Sequence, residues 1–151
     1  THADMQTDPK DVLKAFDIYK SQNKRDCLIK GKRVNRPTVD AMLSLAMQVF
    51  ASILLQTKVD EINAQPKLIS NHFFKEHVKQ NAPLDFSFDL YVLFQAKKAN
   101  LEIISFPVKF LKRIHGEAKG GGGSSIITRF KLIKRTLLYI ISLRKNLSEL
   151  K

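Results

Sequence analysis

The chain is expected to fold as an α/β domain, because short apolar runs suited to strands alternate with longer stretches of helical periodicity. The strand candidates are Cys27-Leu28-Ile29, Leu101-Glu102-Ile103-Ile104 and the run 106–111. In the last, Phe106, Val108 and Phe110 alternate with Pro107, Lys109 and Leu111, so one face can be buried while the other meets water. With 151 residues, 44% of them hydrophobic, the chain can fill the core of one domain, and disorder is not expected.

Asp8-Pro9 predicts a helix start: Asp8 can cap free amides, Pro9 suits the first turn, and Asp11 favours the positive end. Val12, Leu13, Phe16 and Tyr19 supply its apolar stripe, which ends near residues 21–24. Cys27-Leu28-Ile29 then runs into Lys30-Gly31-Lys32-Arg33, gathering cations at a strand end, where α/β sheets hold their ligands. Asn35-Arg36-Pro37-Thr38 breaks the pattern. Residues 41–56 contain no charge at all, and a helix apolar almost all round is buried in protein or lies against lipid. It is short of a comfortable membrane span and is interrupted by Ser44, Gln48 and Ser52, so a core helix is expected.

Residues 60–69 read as an irregular connector, followed by a short helix through Phe73, Phe74 and Val78 that ends by Pro83. Asp85-Phe86-Ser87-Phe88-Asp89 opens another helix, with Leu90, Val92, Leu93, Phe94 and Ala96 apolar and Asn100 closing it. The last helix, 126–147, carries Ile126, Phe130, Ile133, Leu137 and Ile141 on one stripe, ringed by Arg129, Lys131, Lys134, Arg135, Arg144 and Lys145. It is too charged to span a bilayer. It suits either lying on one or covering the sheet as an ordinary amphipathic helix.

Lys plus Arg number 26 against 14 Asp plus Glu, a formal charge of +12, which favours phosphates, nucleic acid or anionic lipid as partners. The single Cys27 cannot form an internal disulfide, which fits a reducing compartment. The first ten residues lack the basic and then apolar pattern of a secretion signal.

Three groups of residues could carry chemistry. The run 106–125 delivers Arg113, His115 and Lys119 into the glycine-rich stretch 116–123, whose amides could converge on an anion. A surface loop that shares the chain's basic character fits the same residues. His2, Asp4 and Gln6 stand at alternate positions, so an extended backbone points all three one way, a set sufficient for Mg²⁺ or Mn²⁺ when substrate oxygens complete the shell; a frayed terminus is the alternative. Asp89 is either a general base or a helix amino-terminal carboxylate, and Arg33 either a phosphate ligand or a solvated cation.

The order of these motifs resembles the later part of the catalytic domain of family 2 glycosyltransferases, particularly the dolichyl- or polyprenyl-phosphate sugar transferase branch. His2-Ala3-Asp4-Met5-Gln6 with Pro9 is similar to the family's Asp-Ala-Asp-x-Gln string before a helix, with His2 in place of the first Asp. Lys32-Arg33 falls where a basic pair follows the next strand, residues 60–68 resemble the connector before the acceptor region, and Asp89 lies where an acidic acceptor-side residue stands. Arg113-Ile114-His115-Gly116-Glu117-Ala118-Lys119 resembles the Arg-x-x-Gly-x-Ser-Lys element, with Ala118 in place of Ser.

The resemblance implies a GT-A fold, a mixed sheet with flanking helices, truncated at the amino-terminal side because the family's opening strands have no counterpart here. Residues 1–125 would be the carboxy-terminal part of the catalytic domain and 126–151 a basic amphipathic helix at a membrane surface. It further implies metal-assisted, inverting transfer from a nucleotide-diphosphate sugar to a lipid-phosphate or glycan acceptor, at the cytoplasmic membrane, in cell-envelope glycan synthesis. His2, Asp4 and Gln6 would hold Mg²⁺ or Mn²⁺, Arg33, Arg113, His115 and Lys119 would face the diphosphate or the acceptor phosphate, and Asp89 would be the catalytic carboxylate. Two other readings remain open on the charge alone, a basic nucleic-acid-binding module and a peripheral membrane module without catalysis. Nucleic acid is not expected as a partner, since Phe106, Val108 and Phe110 look like core and no familiar nucleic-acid motif is present.

Overall fold

The computed structural model describes residues 6–23, 26–34, 38–85, 87–111 and 126–148. Its elements are α1 (Lys10–Ser21), β1 (Cys27–Val34), α2 (Thr38–Leu54), β2 (Lys67–Leu68), α3 (Asn71–Phe73) continued by a π-helical turn (Phe74–Val78), α4 (Phe88–Lys98), β3 (Glu102–Lys109) and α5 (Ile126–Ser148). The architecture is α/β, with a mixed three-stranded sheet in the order β2-β1-β3 and helices flanking it. Strand β1 runs parallel to β3, Cys27 opposite Glu102 through Val34 opposite Lys109, and antiparallel to β2, with Lys30 opposite Lys67.

Period-two alternation sends successive side chains of the sheet to two different cores. Cys27, Ile29, Phe106 and Val108 join Ala15 of α1 on one side. Leu28 joins the other side, with Ala51 and Leu55, Phe73, Leu90 to Phe94 and Ile140 and Leu143 of α5. The expected strand face is therefore borne out at Phe106 and Val108, with Pro107 and Lys109 exposed. Phe110 lies just past the strand and is only half-buried.

Asp8 does start α1, its carboxylate accepting the Lys10 amide at 2.9 Å, and Pro9 occupies the cap position. The stripe is rotated from the expected one. Val12 and Tyr19 are half-buried as expected, but Leu13 and Phe16 are exposed, whereas Asp11 and Ala15 are buried, with the Asp11 carboxylate accepting from the exposed Lys14 ammonium at 2.7 Å. Helix α4 closes as expected at Asn100, whose φ of 53° lets its amide reach the Lys97 carbonyl while the Leu101 amide reaches that of Ala96.

Helix α2 is not the core helix its composition predicts. Met42, Leu45, Val49, Phe50 and Ile53 are exposed, while Ala51 is buried and the polar Ser44, Gln48 and Ser52 are half-buried. With no charge between residues 41 and 56, no charged face marks the side that points away from protein. The stripe of α5 is corrected only at its end: Ile133 and Leu137 are half-buried as expected, but Ile140 and Leu143 are buried and Ile141 is exposed, with the side chains of Ile126 and Phe130 outside the described residues.

Candidate functional site

The connector between Asp60 and Lys67 is fastened to the sheet on one side and to α4 on the other. It was expected to be irregular, and its own sequence offers no regular hydrogen-bond ladder. Three residues of β1 hold it instead. Lys30, fully buried within the strand, donates from Nζ to both the Asp60 carboxylate and the Asp60 carbonyl, each at 2.6 Å. The Gly31 amide donates to the Pro66 carbonyl at 2.9 Å. The Arg33 Nε donates to Glu61 Oε2 at 2.8 Å, and its guanidinium lies over the Phe110 ring, 5.6 Å from the centroid.

Gly31 is required by space. A β-carbon there would sit 2.3 Å from the Gln65 carbonyl oxygen and 2.9 Å from Val108 Cγ2, distances that no side chain tolerates. Absence of that carbon lets the connector lie directly on the strand. Glu61 adopts a φ of 45°, a left-handed conformation that costs a residue with a β-carbon about 1–2 kcal/mol. The Arg33 ion pair, nine-tenths buried on the arginine side, helps to hold it there.

Asp89 sits in the first turn of α4, where a carboxylate is favoured by the amide dipoles. Gln65 Nε2 donates to its two oxygens at 3.0 and 3.2 Å, and Lys67 Nζ donates to Oδ1 at 2.7 Å. The same ammonium donates to the Ile62 and Ala64 carbonyls at 2.8 and 3.0 Å, so Lys67 joins the connector turn to the helix. Burial pushes the Lys67 ammonium below its ordinary range; the Asp89 carboxylate opposes that shift, and Lys30 and Arg33 add to it. At Asp60 burial acts upward, but the Lys30 hydrogen bond and charge, with Lys58, outweigh it and hold the carboxyl below its usual value.

The cations expected at the end of the first strand are thus distributed along it. Lys30 lies in its middle, deeply buried and paired, and Arg33 near its end is engaged by Glu61. Sequence reasoning placed Lys30 among the strand-end cations without giving it a partner, and did not single out Asp60, Glu61, Gln65 or Lys67. A lysine inside an apolar strand was the available signal, since a buried ammonium needs a carboxylate nearby.

Gln6 lies at the carboxyl end of the parallel pair, the end that carries Arg33. The Leu111 amide donates to the Gln6 carbonyl at 2.8 Å, and Gln6 Nε2 donates to the Leu111 carbonyl at 3.2 Å. The segment that follows Asp4 and the segment that precedes Arg113 are therefore bound to each other just beyond the carboxyl end of β3. Arg33 joins this place through Phe110, the neighbour of Leu111. His2, Asp4, Arg113, His115 and Lys119 lie outside the described residues. Among the described residues no three His, Cys, Asp or Glu side chains are grouped to hold a metal ion.

Chemically, the site offers a carboxylate fixed by two donors, an arginine stacked on an aromatic ring, and two chain segments meeting at the strand ends. Such an arrangement can orient a polar ligand at the carboxyl edge of a parallel pair. No protein-family model, curated protein or solved structure matches the chain.

Proposed function

We propose that the chain is the later part of a family 2 glycosyltransferase of GT-A fold, transferring a sugar from a nucleotide diphosphate to a polyprenyl-phosphate or glycan acceptor at the cytoplasmic membrane surface. The observation that carries this reading is the Gln6–Leu111 pairing. Asp4 is two residues from Gln6 and Arg113 two residues from Leu111, so on this reading the acidic string and the cationic glycine run would serve one diphosphate. Departure of a nucleotide diphosphate builds negative charge, which needs cations on the phosphate oxygens.

Imidazole, carboxylate and amide oxygen at His2, Asp4 and Gln6 form a donor set suited to Mn²⁺ or Mg²⁺ with few protein ligands. A bound divalent ion would neutralise charge developing on the leaving group. Arg113, His115 and Lys119 would meet the diphosphate from the opposite side, and Arg33 would reach an acceptor phosphate only by sharing its guanidinium with Glu61. Asp89, oriented by Gln65 and Lys67, would accept the proton of a hydroxyl acceptor; a lipid phosphate, already ionised, would not need it.

The reading is tested by nuclear magnetic resonance with Mn²⁺ and pyrophosphate as probes. Expected is pyrophosphate-dependent broadening of the Gln6, Phe110 and Leu111 amides by Mn²⁺, abolished in Asp4→Ala. Pyrophosphate binding that is equally tight in Asp4→Ala, with residues 6 and 110–111 unaffected by the metal, sinks the proposal.

A further inference from the structure

Helix α2 is apolar on both sides, and only one is covered: Ala51 is buried and Met47 and Leu54 pack against the core. Residues Met42, Leu45, Val49, Phe50 and Ile53 form one continuous exposed stripe, and Ile53 is 70% exposed. The polar residues lean inward: Ser44, Gln48 and Ser52 recur every fourth position on the half-buried side, and the Ser52 hydroxyl accepts from the Val59 amide at 3.0 Å. A helix covering a core in water turns its polar side outward. The exposed stripe therefore has the composition of a contact surface.

The neighbouring helix indicates what the contact is. Helix α5 packs on α2 and contains no acidic residue along its 23 residues. Its exposed positions include Lys131, Lys134 and Arg135 together with Leu138 and Ile141. Cations mixed with aliphatic side chains suit an anionic lipid surface. They oppose a second copy of the chain, whose matching face would bring the same positive charges together. From Met42 to Ile53 the stripe is about 16 Å long, too short to cross a bilayer and suited to lying in its plane. Among the described residues no helix is long and apolar enough to cross a membrane.

We propose that the exposed apolar stripe of α2 inserts into the headgroup boundary of an anionic membrane, with the cations of α5 resting on the lipid headgroups beside it. This rests on the membrane location in the transferase reading and names the surface that meets lipid; it is measured without metal, donor or acceptor, so loss of vesicle binding and failure of the Mn²⁺–pyrophosphate test are distinguishable.

The experiment is co-sedimentation of the whole chain with phosphatidylcholine vesicles, with and without phosphatidylglycerol. Expected is binding that requires phosphatidylglycerol and falls about tenfold or more in Leu45→Gln/Val49→Gln/Ile53→Gln, a variant altered only at exposed positions and checked for an unchanged thermal melt. Lys131→Gln/Lys134→Gln, which leaves α2 intact, weakens binding about fivefold per charge removed. Three results overturn the proposal: no vesicle binding by the parent chain, unchanged binding in the α2 variant, or a dimer in analytical ultracentrifugation that the α2 variant dissociates.

Discussion

Helices α2 and α4 are both built from nearly continuous apolar sequence, yet they meet opposite surroundings. In α4, Leu90, Tyr91, Val92, Leu93, Phe94 and Ala96 are all buried, so the middle of the helix is covered by protein on nearly every side. In α2, Met47, Ala51 and Leu54 face the core with Ser44, Gln48 and Ser52 half-buried, while Met42, Leu45, Val49, Phe50 and Ile53 are exposed. The difference teaches that a run of apolar residues reports only an avoidance of water. Whether sheet, helix or lipid supplies the shelter depends on contacts distant in the chain. Polar residues at four-residue spacing, as in Ser44, Gln48 and Ser52, do indicate a direction, and in α2 they mark the protein side.

The comparison breaks most visibly on truncation. Leu93→Ala in α4 should destabilise the fold by about 2–5 kcal/mol, from lost burial and a residual cavity. Ile53→Ala in α2 should change stability by no more than about 0.5 kcal/mol in the absence of lipid. Urea denaturation of the two variants measures both, and equal losses would mean that α2 is covered by protein in solution.

A smaller effect is expected where the connector joins β1 to the start of α4. Gly31→Ala forces a β-carbon against the Gln65 carbonyl, an overpacking that should cost about 1–3 kcal/mol. Because Gln65 orients Asp89, loss of the unfolding midpoint should be accompanied by amide shifts at Gln65 and Asp89. A variant as stable as the parent, with those amides unmoved, would show that the connector yields freely.

The smallest effect concerns the tie between the two regions. Arg135 of α5 donates to Asp85, just before α4, through Nε at 2.9 Å and through a second guanidinium nitrogen. The Arg135 hydrogen bond, against some burial, holds the Asp85 carboxyl below its usual range. A depressed carboxylate pKa contributes stability that is fully present above the unfolded value near 4 and is lost as pH falls through the folded value. Both side chains are partly exposed, 30% at Asp85 and 52% at Arg135, so screening limits the contribution to about 0.2–1 kcal/mol. Stability measured from pH 6 down to pH 2 should fall less steeply in Asp85→Asn than in the parent by that amount.

The parts of the molecule legible in its sequence are those set by near neighbours. Alternation at Phe106 and Val108, the Asp8 start of α1 and the Asn100 end of α4 each depend on residues a few positions apart, and each is found as expected. The phase of α1 was missed because Asp11, buried against Lys14, takes the inward place that Leu13 and Phe16 were expected to occupy. Asp89 and Arg33 stood out in the sequence, but what holds them did not. Lys67 is 22 residues from Asp89, and Arg33 is 28 from Glu61, so no local pattern links them. Gln6 was chosen for its side chain, whereas its backbone carbonyl makes the tighter link to Leu111.

Lys30, Arg33 and Lys67 are each matched by a carboxylate, from Asp60, Glu61 and Asp89 respectively. The connector cluster is electrically silent at a distance, and the whole surplus of +12 is borne by other parts of the chain. Its pairs act as rivets over a few ångströms, largely shielded from dissolved ions. On the transferase proposal, the long-range pull on an anionic substrate would originate elsewhere and fade with added salt, so capture and orientation would be separate tasks of different residues.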